Sequence, residues 1–254
     1  MTRTVLVLGG TAEARELAAA LDAEPATRVI STLAGRVAKP RLPAGEVRIG
    51  GFGGPDQLAV YLRQERVHAV VDATHPFAQR MSASAAAACA QVAVPLLRLE
   101  RAPFRSRPGD RWHRAATLEQ AAEMIPGLGS RVFLTTGRQG LGAFAGVGGA
   151  FFLVRCVDPP QTQLPADHVL LLDRGPFTLE GELALIDEHR LDLLITKDSG
   201  GGHTAAKLEA ARLRGMPVIV VSRPPRPDSA SVATVAEVVA WLDRGAHAEW
   251  LRGV

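Results

Sequence analysis

Short β-branched runs alternate with Ala-rich helical stretches along the whole chain, and this alternation limits what the chain can fold into more than any other feature. Strand, helix and strand in succession form the βαβ unit, which builds a parallel sheet with helices on its faces. In the first half the strand-like runs fall at 4–8, 28–32, 46–49, 67–72 and 94–98, with apolar residues at helical spacing over 12–22, 55–65 and 77–91. The second half repeats the rhythm, with strands at 131–135, 151–156, 168–172, 191–196 and 217–221 and helices at 178–189, 203–214 and 232–243. The ends of the halves also agree in detail. Val94-Pro95-Leu96-Leu97 leads to Arg101 and Pro103, as Met216-Pro217-Val218-Ile219 leads to Arg223 and Pro225. Beyond each, Thr117 and Thr234 stand where a helix N-cap is expected.

The expected fold class is therefore α/β, with two Rossmann-like domains, each a mainly parallel sheet flanked by helices. Pro126-Gly127-Leu128-Gly129 breaks the pattern between them, which gives domains at 1–127 and 128–254, with a ligand taken up in the cleft between the two. Because the terminal strands of the halves resemble each other, either could pair in either sheet, and strand exchange is conceivable. Strands 94–98 and 217–221 each lying in the sheet of its own half would dispose of it.

Composition narrows the function classes. With 254 residues, 47% of them apolar, the chain buries ample core. No stretch approaches the ~20 apolar residues of a spanning helix, and the N-terminus carries no secretory pattern, so the expectation is a cytoplasmic protein with no membrane partner. Cys89 and Cys156 lack metal-ligand spacing and read as small buried hydrophobes, and no metal is expected. The net charge is only +3, but arginine dominates the cations, which suits bidentate binding of carboxylate or phosphate. One tyrosine and 5% aromatic residues supply no stacking platform, so nucleic acid is not an expected partner.

Val5-Leu6-Val7-Leu8-Gly9-Gly10-Thr11-Ala12-Glu13-Ala14 is a strand, a glycine turn and a helix start, the geometry that aims backbone N–H groups and a helix dipole at phosphate. It departs from the dinucleotide fingerprint, since Thr11 replaces the middle glycine and Ala14 the last. Strand 2 ends Ser31-Thr32-Leu33-Ala34-Gly35-Arg36 without the acid that an NAD site uses for its ribose; two hydroxyls and an arginine suit the ribose phosphate of NADP instead. The glycines around Gly51 permit close backbone approach. Strand 4 ends Asp72-Ala73-Thr74-His75-Pro76, which places Thr74 and His75 at the carboxyl edge of the sheet, with Pro76 in the first helical turn. His75 could position a nicotinamide, contact substrate or donate a proton.

At the matching edge of the second half stands Thr135-Thr136-Gly137-Arg138, and its fourth strand ends Thr196-Lys197-Asp198-Ser199-Gly200. Hydroxyls, cations and a glycine-rich helix entrance there suit carboxylates. Arg223 closes the fifth strand, and Arg101 leads into a basic arm with Arg105, Arg107, Arg111 and Arg114, most of it read as a solvated loop.

The motifs Leu8-Gly9-Gly10-Thr11-Ala12-Glu13-Ala14-Arg15, Asp72-Ala73-Thr74-His75-Pro76-Phe77-Ala78 and Thr196-Lys197-Asp198-Ser199-Gly200 together make the chain similar to the precorrin-6A reductase family of corrin biosynthesis, over essentially its whole length. The resemblance implies NADPH-dependent reduction of one double bond of precorrin-6A, a tetrapyrrole rich in carboxylates, to precorrin-6B. It implies an NADPH site at Gly9, Gly10, Thr11, Glu13, Ser31, Thr32, Arg36, Gly51, Thr74, His75 and Pro76. Substrate would meet Thr136, Gly137, Arg138, Lys197, Asp198, Ser199, Gly200 and Arg223. The proton that accompanies the hydride would come from His75, Lys197, Asp198 or water. Two alternatives stay open: a cobalt-containing substrate, and a non-catalytic NADPH-binding sensor. So does transient contact with neighbouring enzymes of the pathway.

Overall fold

The computed structural model describes residues 2–35 and 37–248, and for residues 203 and 246–248 the backbone alone. Along the first half run β1 (Arg3–Leu8), α1 (Ala12–Asp22), β2 (Thr27–Leu33), β3 (Glu46–Ile49), α2 (Pro55–Gln64), β4 (Ala69–Asp72), α3 (Gln79–Val92), β5 (Leu96–Leu99), β6 (Arg111–Ala115) and α4 (Leu118–Glu123). The second half supplies β7 (Arg131–Leu134), β8 (Phe151–Cys156), β9 (His168–Leu172), α5 (Leu179–Glu188), β10 (Leu193–Lys197), α6 (Ala206–Leu213), β11 (Pro217–Val221), β12 (Ser231–Val232) and α7 (Val235–Ala248). All ten expected strands are present, none displaced at an end by more than two residues.

Two six-stranded sheets form, in the orders β3-β2-β1-β4-β5-β12 and β9-β8-β7-β10-β11-β6, and every pairing is parallel. Each is the doubly wound order 3-2-1-4-5-6, whose direction of winding reverses between the first and fourth strands. That crevice lies beyond Leu8 and Asp72 in one sheet and beyond Leu134 and Lys197 in the other.

The sixth strand of each sheet comes from the other half of the sequence. Strands 96–99 and 217–221 stay in the sheets of their own halves, yet the strands after them cross over. β6 pairs with β11 from Pro217↔Arg111 to Val221↔Ala115, and β12 pairs with β5 at Ser231↔Arg98 and Val232↔Leu99. The compact units are accordingly Met1–Arg101 with Pro225–Val254, and Ala102–Pro224. Residues 102–127, expected with the first domain, fold with the second, and 225–248 with the first. The connectors explain the crossing. Segments 100–110 and 222–230 carry Pro103 and Pro108, and Pro224, Pro225 and Pro227, whose fixed φ favours extended chain over a tight return to the same sheet. This also corrects the reading of the basic arm: Arg111 and Arg114 lie on β6, not on a solvated loop.

In the first unit Val5–Leu8 of β1 are fully buried, because helices cover both faces of a parallel sheet. On one face α1 packs Ala14, Leu17, Ala18 and Leu21 beside Val238 and Leu242 of α7. On the other, Leu58 and Leu62 of α2 meet Ala85, Ala88 and Cys89 of α3. In the second unit α5 and α6 cover Phe133, Leu153, Leu194 and Val220 through Ile186, Leu208, Ala210 and Ala211. Each such Leu, Ile or Phe contributes about 1.5–3 kcal/mol by its burial.

The expected N-caps form. Thr117 Oγ1 accepts from Gln120 N (3.1 Å), and Thr234 Oγ1 from Glu237 N (3.2 Å), while Glu237 accepts from the backbone N–H of Ala233 and Thr234, a closed capping box. Among the described residues no helix is long and apolar enough to cross a membrane, and no group of three or more His, Cys, Asp or Glu is placed to hold a metal ion. Cys89 and Cys156 are free and buried; burial pushes the Cys89 thiol up to about 12 and raises that of Cys156, against a lesser opposing pull from Arg138.

Candidate active site

In the first unit β1 delivers Gly9 and Gly10 to the crevice. Gly9 N–H donates to Thr32 O (2.9 Å), and a Cβ on Gly9 would stand 3.1 Å from that same oxygen, so a side chain here would crowd β2, which would have to give way slightly. Gly10 has φ +112°, and nothing lies within 4 Å of where its Cβ would be. Thr11 is the N-cap of α1: its hydroxyl accepts from Ala14 N (3.1 Å) and donates to Ala73 O (2.8 Å), tying the β1 turn to the β4 turn. Its hydroxyl is thus spent within the fold. Ala14 replaces the third glycine of the fingerprint at no loss of packing, being buried against the sheet. Glu13 lies in the first turn of α1 and takes both of its contacts, at 3.2 Å, from Arg101 Nη1.

β2 runs on through Thr32 to Leu33, so Ser31 and Thr32 are buried rather than at an open strand end. Ser31 Oγ has no hydrogen-bond partner although fully enclosed. Arg36 lies outside the described residues. Arg48, across the ladder from Thr32, donates to Gly50 O (2.9 Å) and Gly51 O (3.2 Å) and stacks 4.3 Å from the Phe52 ring centroid, which fixes the glycine turn; space beside Gly51 is open.

The turn after β4 is held by Asp72, the last residue of the strand. Asp72 is buried and accepts from Thr74 N (3.1 Å), Thr74 Oγ1 (2.6 Å) and Ser82 Oγ (2.5 Å). An aspartate two residues before a hydroxyl at a strand end is an Asx-turn signal, and that pattern was available in the sequence. His75 is half-buried, and its Nδ1 accepts from Phe77 N (3.2 Å). An acceptor at Nδ1 leaves the proton of the neutral ring on Nε2. Pro76 sits in a turn, three residues before α3 begins, not in the first helical turn, because the backbone there is held by Arg226 instead of entering the helix: Nη2 donates to His75 O (2.6 Å) and Nε to Pro76 O (3.2 Å). A small concavity opens here, lined by Thr11, Glu13, Thr74, Pro76, Glu100 and Arg101.

In the second unit the crevice is lined from β7 and β10. Thr135 Oγ1 donates to Ile195 O (3.0 Å), while Thr136 is buried with its hydroxyl unpartnered, the same situation as Ser31. Gly137 has φ +74° with open space beside it, and Arg138 is half-buried. Lys197 Nζ donates to Gln139 O (3.3 Å), and burial pulls its pKa down to about 8. Asp198 is bracketed on three sides: Oδ1 accepts from Phe104 N (2.8 Å), Oδ2 from Arg114 (3.1 Å), and its carbonyl from Arg223 Nε (2.9 Å). Ser199 Oγ lies 3.3 Å from Thr204 Oγ1. Gly200 has φ +65°, and a Cβ there would run into the Ala102 carbonyl oxygen and Arg223. Asp198, Gly200 and Arg223 therefore weld the connector at Ala102–Phe104 to the end of β10. Of the residues expected to meet substrate, Thr136, Gly137 and Arg138 follow the end of β7, and Lys197 closes β10.

Two doubly wound sheets, one with a glycine turn and a helix N-terminus at its switch point and the other with hydroxyls and cations at the equivalent place, define a protein of the two-domain Rossmann-like class. A family model described as precorrin-6x reductase CbiJ/CobK matches residues 4–243. The chain belongs to that family. It is 53% identical to the precorrin-6A reductase of Rhodococcus erythropolis over 95% of this chain and 98% of the relative. A solved structure, CobK precorrin-6A reductase, superimposes with a TM-score of 0.90 at 42% identity, covering 96% of this chain and 97% of that one. The cobalt-precorrin-6A reductase of Priestia megaterium is more distant, 31% identical over 92% of this chain and 96% of the relative.

Proposed function

We propose that this chain reduces one macrocycle double bond of precorrin-6A to give precorrin-6B, with NADPH as the reductant. The observation that carries the cofactor reading is the glycine turn after β1, where Gly10 (φ +112°) leaves open space ahead of the N-terminus of α1, next to an end of β2 that holds no acid for an NAD ribose. Gly9, Gly10 and the N-terminus of α1 supply backbone N–H groups for the pyrophosphate, and Ser31, Thr32 and Arg36 receive the ribose phosphate. Thr74, His75 and Pro76 meet the nicotinamide end. When bound, the nicotinamide supplies a hydride to a macrocycle carbon.

The protein's own part is positioning and proton delivery. His75, with its proton on Nε2, donates a hydrogen bond toward the nucleotide. Thr136, Gly137, Arg138 and Ser199 bind substrate carboxylates, while Asp198, Gly200 and Arg223 hold that edge in shape. Lys197 is the residue we assign to proton delivery. A pKa near 8 lets it give up a proton readily near neutrality, whereas both Asp198 oxygens are already taken. The metal-free substrate is favoured over the cobalt-containing one by the far higher identity to the relative named for the former. A sensor without turnover would have no use for the cationic edge of the second unit.

Titration with NADPH and NADH, followed by addition of precorrin-6A while nicotinamide absorbance and the macrocycle spectrum are recorded together, tests this reading. Tight binding of NADPH with coupled spectral change is expected. Binding without turnover of either the metal-free or the cobalt macrocycle would leave the sensor as the better account. As a general acid, Lys197 must be protonated to act, so kcat should fall as pH rises through about 8, and a Lys197→Met enzyme should lose that limb.

A further inference from the structure

Arg226 lies on the connector that carries the chain from β11 to the exchanged strand β12, far in sequence from the β4 turn it grips. Its guanidinium places two donors on consecutive carbonyls, Nη2 on His75 O at 2.6 Å and Nε on Pro76 O at 3.2 Å. A guanidinium edge is a planar fork, so the pair sets the orientation of the peptide as well as its position. Pro76 has no N–H with which to anchor itself, Phe77 N–H is turned to the His75 ring, and Ala78 N–H donates to His75 O (2.8 Å), so the guanidinium adds two long-range bonds to those the turn makes within itself. The base from which Arg226 reaches is itself fixed. Arg98, buried in β5, donates to Pro227 O (2.6 Å) and Ser229 Oγ (2.8 Å), and the ladder closes at Arg98 N to Ala230 O and Glu100 N to Val232 O, each 2.9 Å.

We infer that Arg226 is a positioning residue for the reductase: delivered by the exchanged segment, it sets the backbone at His75–Pro76 and through it the nicotinamide end of the nucleotide site. Asp72 restrains the same turn from beneath, through Thr74 and Ser82, and Arg226 restrains it from the opposite end. Exchange of the sixth strand thus gives the first unit more than an edge strand. It supplies the side chain that completes the turn after β4. The inference rests on the reading of Thr74–Pro76 as a nucleotide contact.

The test compares full-length wild type, Arg226→Gln, Arg226→Lys and His75→Ala by amide exchange over residues 73–82 and by NADPH affinity. Exchange should rise in Arg226→Gln at this turn and not in the β1 turn. NADPH affinity should fall about tenfold, the worth of one hydrogen bond to a charged donor, and Arg226→Lys should recover part of it. His75→Ala should also bind NADPH more weakly. Unchanged exchange at the turn in a folded Arg226→Gln protein overturns the inference. Looser exchange with unchanged affinity overturns it too, and His75→Ala then separates the causes: normal binding by His75→Ala sinks the nucleotide reading of the turn as well, whereas weakened binding sinks the role of Arg226 alone.

Discussion

Removing the Asp72 carboxylate should loosen the turn after β4 by an amount the geometry allows one to work out. In Asp72→Ala, Thr74 N–H, Thr74 Oγ1 and Ser82 Oγ all lose their acceptor while still buried. An unsatisfied buried polar group costs about 1–3 kcal/mol, so three would cost ~5, from which the relief of no longer burying a carboxylate subtracts ~2, leaving about 3 kcal/mol. Asp72→Asn keeps the shape. Its oxygen still accepts both bonds from Thr74, and its amide can donate to Ser82, which turns from donor to acceptor, so only the charge-assisted part is lost, about 1 kcal/mol. For a unit of this size ~1 kcal/mol corresponds to about 4 °C, which predicts melting shifts of about 12 °C for alanine and 4 °C for asparagine by calorimetry. Equal shifts for the two variants, or a shift under about 4 °C for alanine, would refute the reasoning, because the carboxylate would then not be holding the three donors.

Three further outcomes follow from the same geometry. Lys197 is penalised in its charged form by burial, so its folded pKa of about 8 lies below the ordinary 10.5; the unfolded chain binds more protons between those values, and stability rises with pH across that window. A Lys197→Met protein should therefore melt above wild type at pH 7, with an advantage that shrinks toward pH 10.5; a constant difference would show that the lysine is well solvated. Gly200→Ala should destabilise by more than ~2 kcal/mol in urea unfolding, since the positive φ alone costs ~1–2 kcal/mol and the new methyl meets the Ala102 carbonyl; a neutral effect would mean that the connector can move aside. Ser31→Ala should leave the melting temperature of the free protein unchanged or slightly higher, because it deletes an unpartnered buried hydroxyl, yet reduce the stabilisation that NADPH confers; full retention of that stabilisation would remove Ser31 from the site.

The sequence carried the sheets well and the edges poorly. Ten strands were legible because a buried parallel strand is a continuous apolar run and its covering helices are amphipathic, as in Val5–Leu8 under Leu17 and Leu21. β6 and β12 were not legible. Arg111-Trp112-His113-Arg114-Ala115 is an edge strand with one open side, so it keeps its charges, and β12 is only two residues long. The likeness of the two half-ends made exchange conceivable, but which strand crosses depends on the proline-rich connectors, whose path no periodicity reports. Among the expected site residues, the glycine turn, Thr74, His75 and Lys197 were legible as strand-end positions, and that is where the structure places them. Asp72 and Arg226 were missed for different reasons. The former reads as one more strand residue until its partners at Thr74 and Ser82 are seen. The latter contacts residues some 150 positions away and leaves no local trace.

Transfer of label from the reductant tests the central claim most directly. Precorrin-6A would be incubated with the protein and NADPH deuterated at the transferring position of its nicotinamide ring, and the product weighed by mass spectrometry. The account predicts that the reduced macrocycle carries one deuterium from the nucleotide when the reaction is run in ordinary water. A reduced product without label, or oxidation of NADPH with no change in the macrocycle, would contradict it.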